Sequence, residues 1–254
     1  MTIASKRYMG KNFLISEAVA VAEAAHAEGK TVLEIGPGKG MLTKQLCMRA
    51  RKVIAVEKDM RLFTTLLSVL QYDNLKLLNK DFFNATADEL ELDSIDIVIA
   101  NVPYSMSSKI VVWLREHNKQ AVLCLQKEFV EHMLAREGTH NYSRLSVMCA
   151  LSFRITEIMR VPRSSFRPIP KVDSAVIFMK PKKESIAAQE DSAINMLMQH
   201  KKKTLRNAIL DSRLCAPEAV SGMFAEEQLQ GRVFKMAPED ILSAARKLAA
   251  VKKP

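Results

Sequence analysis

The sequence predicts an α/β protein: a large domain built on a mostly parallel sheet, followed by a small all-helical domain. Three observations carry this. Short β-branched runs alternate with helical stretches over residues 31–180, the pattern of strand–helix–strand units. A glycine-rich turn stands directly between the first of these runs and a helix. After Met179 the strand pattern stops.

In chain order, the expected strands are Thr31–Ile35, Val53–Val56, Leu75–Leu78, Ile95–Ala100, Ala121–Leu125, Leu145–Phe153 and Val172–Met179. Met41–Arg51, Met60–Gln71, Ser107–His117 and Lys127–Arg136 read as helices between them. The connection from Phe153 to Val172 contains no convincing helix. Antiparallel pairing of the last two strands follows, because parallel pairing needs a longer crossover. Pro181-Lys182-Lys183-Glu184-Ser185 is a polar linker, which divides the chain into a domain of residues 1–180 and a helical one of 185–254. In the second, Ile194, Leu197, Met198, Leu205 and Ile209 lie near one helical face, beside Lys201, Lys202, Lys203 and Arg206. Pro217 and Pro238 occupy helix starts, and Pro238 is followed by two acids in the first turn.

Composition narrows the class. A hydrophobic fraction of 48% and a charged fraction of 26% over 254 residues exclude wholesale disorder. The four cysteines form no C-x-x-C pair and the five histidines show no metal spacing, so neither a disulfide scaffold nor a metal is expected. Met1 to Lys11 lacks the apolar stretch of a signal peptide, and no run approaches the roughly 18 residues of a membrane span. A cytoplasmic protein without membrane contact is the expectation. Lys+Arg 38 against Asp+Glu 28 gives a net charge of +10, in the range where an anionic polymer becomes a plausible partner.

The chemistry begins at Gly36-Pro37-Gly38-Lys39-Gly40, between Thr31–Ile35 and the helix opened by Met41. Glycines let the backbone turn sharply and let a ligand approach with no Cβ in the way. Met41 replaces the third glycine of the dinucleotide fingerprint, and no Walker Gly-Lys-Ser/Thr is present, which disfavours an ATPase. Glu57 ends the second strand, where an acid can accept both hydroxyls of a ribose. Asp81 ends the third and is followed by Phe82-Phe83, so a carboxylate can accept from an adenine amine while a phenylalanine stacks on the ring. Gly36, Gly38, Gly40, Glu57, Asp81 and Phe82 therefore outline one crevice at successive strand ends.

Asn101-Val102-Pro103-Tyr104 ends the fourth strand. A ring-conjugated amine is a poor nucleophile because its lone pair is delocalised into the base. Two acceptors, the Asn101 side-chain oxygen and the Pro103 carbonyl, can hold its hydrogens and favour a pyramidal nitrogen aimed at a methyl donor. Proline presets the geometry, and Tyr104 offers a face to a base pulled from its stack. The tetrad points to methylation of an amino group.

Here the chain resembles the small-subunit ribosomal RNA adenine dimethyltransferases, and over nearly its whole length. The resemblance rests on Asn12-Phe13-Leu14, Glu34 to Gly40, Glu57-Lys58-Asp59, Asp81-Phe82, the Asn101 tetrad, Gln126 to Phe129 and Arg144 to Val147. Phe166 to Ser174 and Lys203 to Ala208 complete it and are more restrictive than the glycine loop. The compact helical part and short linkers are similar to archaeal members. The resemblance implies a class I S-adenosylmethionine-dependent methyltransferase domain of Rossmann-like fold. As targets it implies two neighbouring adenosines near the 3′ end of small-subunit rRNA, each methylated twice, with a role in small-subunit biogenesis. It further implies cofactor contacts at Asn12, Leu14, Gly36, Glu57, Asp81 and Asn101. Three departures stand out: Lys11 where glutamine is usual, Val102 where leucine is common and Ser143 where glycine is usual.

With that resemblance, Phe166, in a proline-bounded segment that cannot be regular helix, is expected to stack on the target base opposite Tyr104. Arg163, Arg167 and Lys171 around it, and Lys201, Lys202, Lys203 and Arg206 in the helical domain, are expected phosphate contacts. Tyr8 and Phe13 are candidate parts of an N-terminal lid. The expected partner is the RNA of an immature small subunit, met by a monomer. The rival readings are a large-subunit rRNA adenine methyltransferase of the macrolide-resistance type, a DNA adenine methyltransferase, and a non-catalytic assembly or transcription factor on the same fold.

Overall fold

The structure, a computed structural model, describes residues 12–183 and 186–250. The expectations for Tyr8 and Lys11 lie outside these residues. Two compact units emerge. The first runs as far as Phe129 and resumes from Ile155 to Pro181; the second takes Val130–Arg154 and the chain from Lys182 onward.

The first unit is built on strands β2 (Thr31–Ile35), β3 (Lys52–Glu57), β4 (Leu75–Asn79), β5 (Ile97–Asn101), β6 (Ala121–Gln126), β7 (Phe153–Val161) and β9 (Ser174–Pro181). They form one sheet in the order β4-β3-β2-β5-β6-β9-β7. The first five are parallel, and β9 runs antiparallel to β6 with Cys124 opposite Val176. Every residue of β2 is buried, as expected of a strand covered on both faces by helices. Order reverses between β2 and β5, so a crevice opens beyond their carboxyl ends. A two-stranded ladder pairs β1 (Phe13–Leu14) with β8 (Phe166–Arg167), setting Leu14 opposite Phe166.

The helices of this unit are α1 (Glu17–Ala24), α2 (Met41–Cys47), α3 (Met60–Val69), α4 (Ala87–Leu90) and α5 (Ser107–Glu116), with α6 (Lys127–Met133) starting in it. Their starts are written in side chains. Ser16 caps α1, Asp59 caps α3 by accepting the Arg61 N–H at 3.0 Å, and Thr86 and Glu89 form a reciprocal box on α4. Buried α1 and α2 residues Val19, Ala20, Leu42 and Leu46 pack in one core with Val32, Val53 and Ile97 of the sheet.

The second unit holds α7 (Arg144–Ser152), α8 (Ala188–Gln199), α9 (Leu205–Ser212), α10 (Pro217–Met223), α11 (Glu226–Gln230) and α12 (Pro238–Ala249). Prolines begin α10 and α12, and α12 carries Glu239 and Asp240 in its first turn and Arg246 and Lys247 in its last. Among the described residues no helix is long and apolar enough to cross a membrane.

Three expectations change. Leu145–Phe153 is not a strand: it is α7, and the neighbouring strand begins at Phe153. Val147 and Leu151, one helical turn apart, pack against the α8, α9 and α12 core with Tyr142, as an i, i+4 pair on one face of a helix does. Consequently the domain boundary is not the single cut expected between 180 and 185, since Val130–Arg154 supplies part of the helical core. Finally, the apolar face from Ile194 to Ile209 spans two helices. Thr204 caps α9 (N–H of Asn207 to Oγ1, 3.4 Å), so Lys201, Lys202 and Lys203 lie in the connecting turn rather than on a helix flank. Ser143, the departure from glycine, takes an extended backbone (φ −152°) ahead of α7, and its N–H donates to Ser146 Oγ at 3.0 Å. No glycine is required there.

Candidate active site

A cavity of about 610 Å³ opens at the carboxyl ends of β2, β3, β4 and β5. It is lined by Asn12, Gly36, Gly38, Glu57, Asp81, Phe82, Asn101, Pro103, Tyr104 and Phe166, among others. All of these were expected site residues. Two other expected cofactor contacts are not in its lining. Leu14 is buried in the core opposite Phe166. Gly40 begins α2 at φ +81°, and a Cβ there would stand 2.8 Å from Leu66 Cδ2. Its role is close packing of the turn on α3.

The glycine turn is held by the next strand. Gly36 N–H donates to the Val56 carbonyl at 2.9 Å, and Gly38 N–H donates to Glu57 Oε2 at 3.2 Å. Gly36 sits at φ +71°, and a Cβ there would meet nothing within 4 Å, so this backbone faces open space. Glu57 is 3% exposed, and its other oxygen accepts the Asp59 N–H at 2.8 Å. Backbone donors thus fix a carboxylate in the wall of the cavity. Asp81 is anchored similarly by the Phe83 N–H at 3.1 Å and by Lys58 Nζ at 2.7 Å. The Lys58 bond, then the Phe83 N–H, holds its carboxyl below the usual range. Phe82 is buried edge-on against Trp113 with ring centroids 4.9 Å apart, whereas Phe83 is exposed in the same lining.

Around the tetrad, Val102 N–H donates to the Cys124 carbonyl at 3.2 Å, so the departure from leucine is a buried valine tied to β6. The Pro103 carbonyl accepts the Met106 N–H at 2.8 Å, which leaves it one lone pair for a ligand. Tyr104 Oη lies 3.3 Å from Ser174 Oγ, and burial, foremost, raises its pKa. Asn101 Nδ2 donates to Glu23 Oε2 at 3.0 Å. Asn101 Oδ1 is buried and has no hydrogen-bond partner among the described residues. Sequence reasoning missed Glu23, Ser174 and the cavity lysines Lys58, Lys80 and Lys109. Ser174, inside the Phe166–Ser174 segment, and Lys58, inside Glu57-Lys58-Asp59, lay in motifs that could have shown them.

The expected phosphate contacts fall in both units. Arg163, Arg167 and Lys171 are exposed on the segment that carries Phe166; Arg167 donates to the Phe166 carbonyl at 3.1 Å. In the second unit Lys201 Nζ donates to the Tyr142 carbonyl, Lys203 pairs with Asp211, and Arg206 pairs with Glu226 at 2.6 Å. A shallow basic recess of about 360 Å³ includes Lys202, Lys203 and Arg232. Arg232 was not anticipated. Among the described residues no group of His, Cys, Asp or Glu is placed to hold a metal.

An open, mostly parallel sheet of this order, with a glycine turn after β2 and carboxylates at the ends of β3 and β4, defines a Rossmann-like methyltransferase fold. The profile described as "Ribosomal RNA adenine dimethylase" matches residues 3–249. The chain belongs to the ribosomal RNA adenine dimethylase family. It is 40% identical over 210 residues to a probable ribosomal RNA small subunit methyltransferase A of Thermococcus sibiricus, covering 80% of this chain and 75% of that one. It is 39% identical over 252 residues to the protein of the same description from Methanopyrus kandleri, covering 95% and 86%. Among solved structures, a dimethyladenosine transferase from Plasmodium falciparum superposes with a TM-score of 0.76 at 29% identity, covering 91% of this chain and 95% of that one. The 23S rRNA methyltransferase ErmE gives a TM-score of 0.65 at 26% identity, covering 93% and 99%.

Proposed function

We propose that this chain dimethylates the exocyclic amines of two adjacent adenosines near the 3′ end of small-subunit rRNA, using S-adenosylmethionine. It acts as a cytoplasmic monomer on immature small subunits, as part of their assembly. One observation carries the reading: a buried, unpartnered amide oxygen, Asn101 Oδ1, at a cavity whose wall also holds the fixed carboxylate of Glu57. A buried acceptor left unpaired is costly unless a ligand completes it.

The cavity suits the cofactor by its chemistry. Gly36 leaves backbone open to a ligand, Glu57 supplies two oxygens for vicinal hydroxyls, and Asp81 with Phe82 and Phe83 supplies an acceptor beside aromatic rings. Bound there, S-adenosylmethionine supplies an electrophilic methyl group on a sulfonium. The rest is the work of this chain. Tyr104 and Phe166 hold the faces of an extruded adenine. Asn101 Oδ1 and the free lone pair of the Pro103 carbonyl accept the two N–H groups of its amine, drawing the lone pair out of conjugation. Neither acceptor is a base, so the surplus proton leaves to solvent after the methyl group has moved. Arg163, Arg167, Lys171, Lys202 and Arg232 engage phosphates, and Lys203 and Arg206 do so by exchanging carboxylate partners.

The ErmE likeness favours one second reading, large-subunit rRNA as substrate. Mapping methylated adenosines after incubation with immature small subunits, large-subunit RNA and duplex DNA separates them. Dimethylated adjacent adenosines in the small subunit alone are expected. Modification confined to large-subunit RNA would replace the proposal.

A further inference from the structure

The amide of Asn101 can sit either way round, and only one way is productive. With oxygen toward the cavity it accepts an amine hydrogen; with nitrogen there it would present its own hydrogens to the amine. Glu23, on α1, is completely buried, and its Oε2 accepts the Asn101 Nδ2–H at 3.0 Å. Its Oε1 and the Asn101 Oδ1 have no partner among the described residues. We propose that Glu23 is a positioning residue: it holds the amide nitrogen of Asn101 and so turns Oδ1 toward the target amine. This rests on the reading of Asn101 given above.

Packing alone gives no reason for a carboxyl at this place. Its buried neighbours on α1 are Val19, Ala20 and Ala24, and with an apolar side chain of similar length the one bond lost would be the acceptor of the Asn101 amide N–H. The groups that bear on Glu23 electrically are Glu34 on β2 and the Cys124 thiol on β6, both buried. Glu34 is a like charge, no cation among the described residues bears on the pair, and burial pushes Glu23 up to about 8 against an ordinary 4.5. At neutral pH it is an acid with its proton on one oxygen and the other, a carbonyl oxygen, free to accept from Asn101. Glutamine keeps that oxygen; methionine does not.

The test is single-turnover methyl transfer with saturating S-adenosylmethionine and pre-bound small subunits, for the full chain and for Glu23→Gln, Glu23→Met, Asn101→Ala and Glu23→Met/Asn101→Ala. Glu23→Met should slow transfer about 10- to 100-fold, as expected of a misplaced catalytic group. Glu23→Gln should recover most of the rate, and Glu23→Met should add little in the Asn101→Ala background, where there is no amide left to orient. A purely structural residue would lower the melting temperature and leave the rate of folded enzyme intact. If Glu23→Met fails to fold, Glu23→Ala, matched to this alanine-rich helix, serves with the same expectations. Parental rates for Glu23→Met beside an inactive Asn101→Ala would overturn the positioning role alone. A parental rate for Asn101→Ala would overturn the reading beneath it.

Discussion

At the scale of single residues, side chains at strand ends carry the site. Glu57 ends β3 and is fixed by two backbone N–H groups, so Glu57→Ala removes a preorganised charged acceptor. The expected loss is about 1.5–3 kcal/mol in S-adenosylmethionine binding, read by calorimetric titration of the folded variant; unchanged affinity would count against the assignment. Gly40 fails differently. At φ +81° with Leu66 in the way, Gly40→Ala should destabilise the protein by about 1–3 kcal/mol in denaturant titrations. Glu57 was legible because it sits where a strand run stops, whereas the packing role of Gly40 shows only in its contact with α3. Glu23 was not legible: in Glu17–Ala24 a glutamate reads as one more solvated helix residue, and its partner is 78 positions away. No local pattern reveals such a pairing.

At the scale of elements, the strands of the parallel sheet were legible from short apolar runs, and α2, α3, α5 and α6 from the stretches between them, whereas α1 and α4 were not anticipated. The failure at α7 has a physical source. Its stretch Leu145–Leu151 is apolar nearly throughout, and a short apolar run fits a buried strand or a buried helix equally well. Tertiary packing of Val147 and Leu151 decided it. The core between α1 and β2 makes its own prediction. Glu23 and Glu34 are buried acids, each pushed up mainly by burial to about 8. Raised folded-state values mean that the native protein holds protons the unfolded chain has released. Stability is therefore highest below the ordinary value of 4.5 as far as these groups are concerned, and it is lost as pH rises toward about 8. The melting temperature should fall by several degrees between pH 5.5 and 8.5, since each kcal/mol shifts it by about 2–4 °C in a chain of this size. The Glu23→Gln/Glu34→Gln variant should show a flatter profile. An equal slope in both would deny that these acids are buried and neutral.

At the scale of the whole molecule, the presence of a sheet unit and a helical unit could be read from composition. Their boundary could not, because Val130–Arg154 joins the helical core from the middle of the chain, and linear composition records no such return. Charge was likewise legible only in sum. The structure sorts the basic residues of the helical unit: Lys201 is tied to the Tyr142 carbonyl, while Lys202 and Arg232 flank an open recess. Lys202→Gln/Arg232→Gln should lower the slope of log K against log salt for RNA by roughly 0.7–0.9 for each phosphate no longer neutralised, with the fold intact. Lys201→Gln should instead lower the melting temperature, because it removes a tether on Tyr142. Filter binding across a salt series and thermal melting check the two in turn, and an unaltered slope in the first variant would remove this recess from the RNA path.

The central claim is that the Asn101 amide oxygen activates the adenine amine. Its most direct test is the single-turnover rate of Asn101→Ala on pre-bound small subunits at saturating S-adenosylmethionine. RNA affinity should stay near that of the parent, because phosphates and shape supply most of it. Methyl transfer should fall by about 100-fold or more, the loss typical of a preorganised group aimed at the transition state. A rate within about threefold of the parent, with the same RNA affinity, would contradict the account and leave Asn101 as a turn residue at the end of β5.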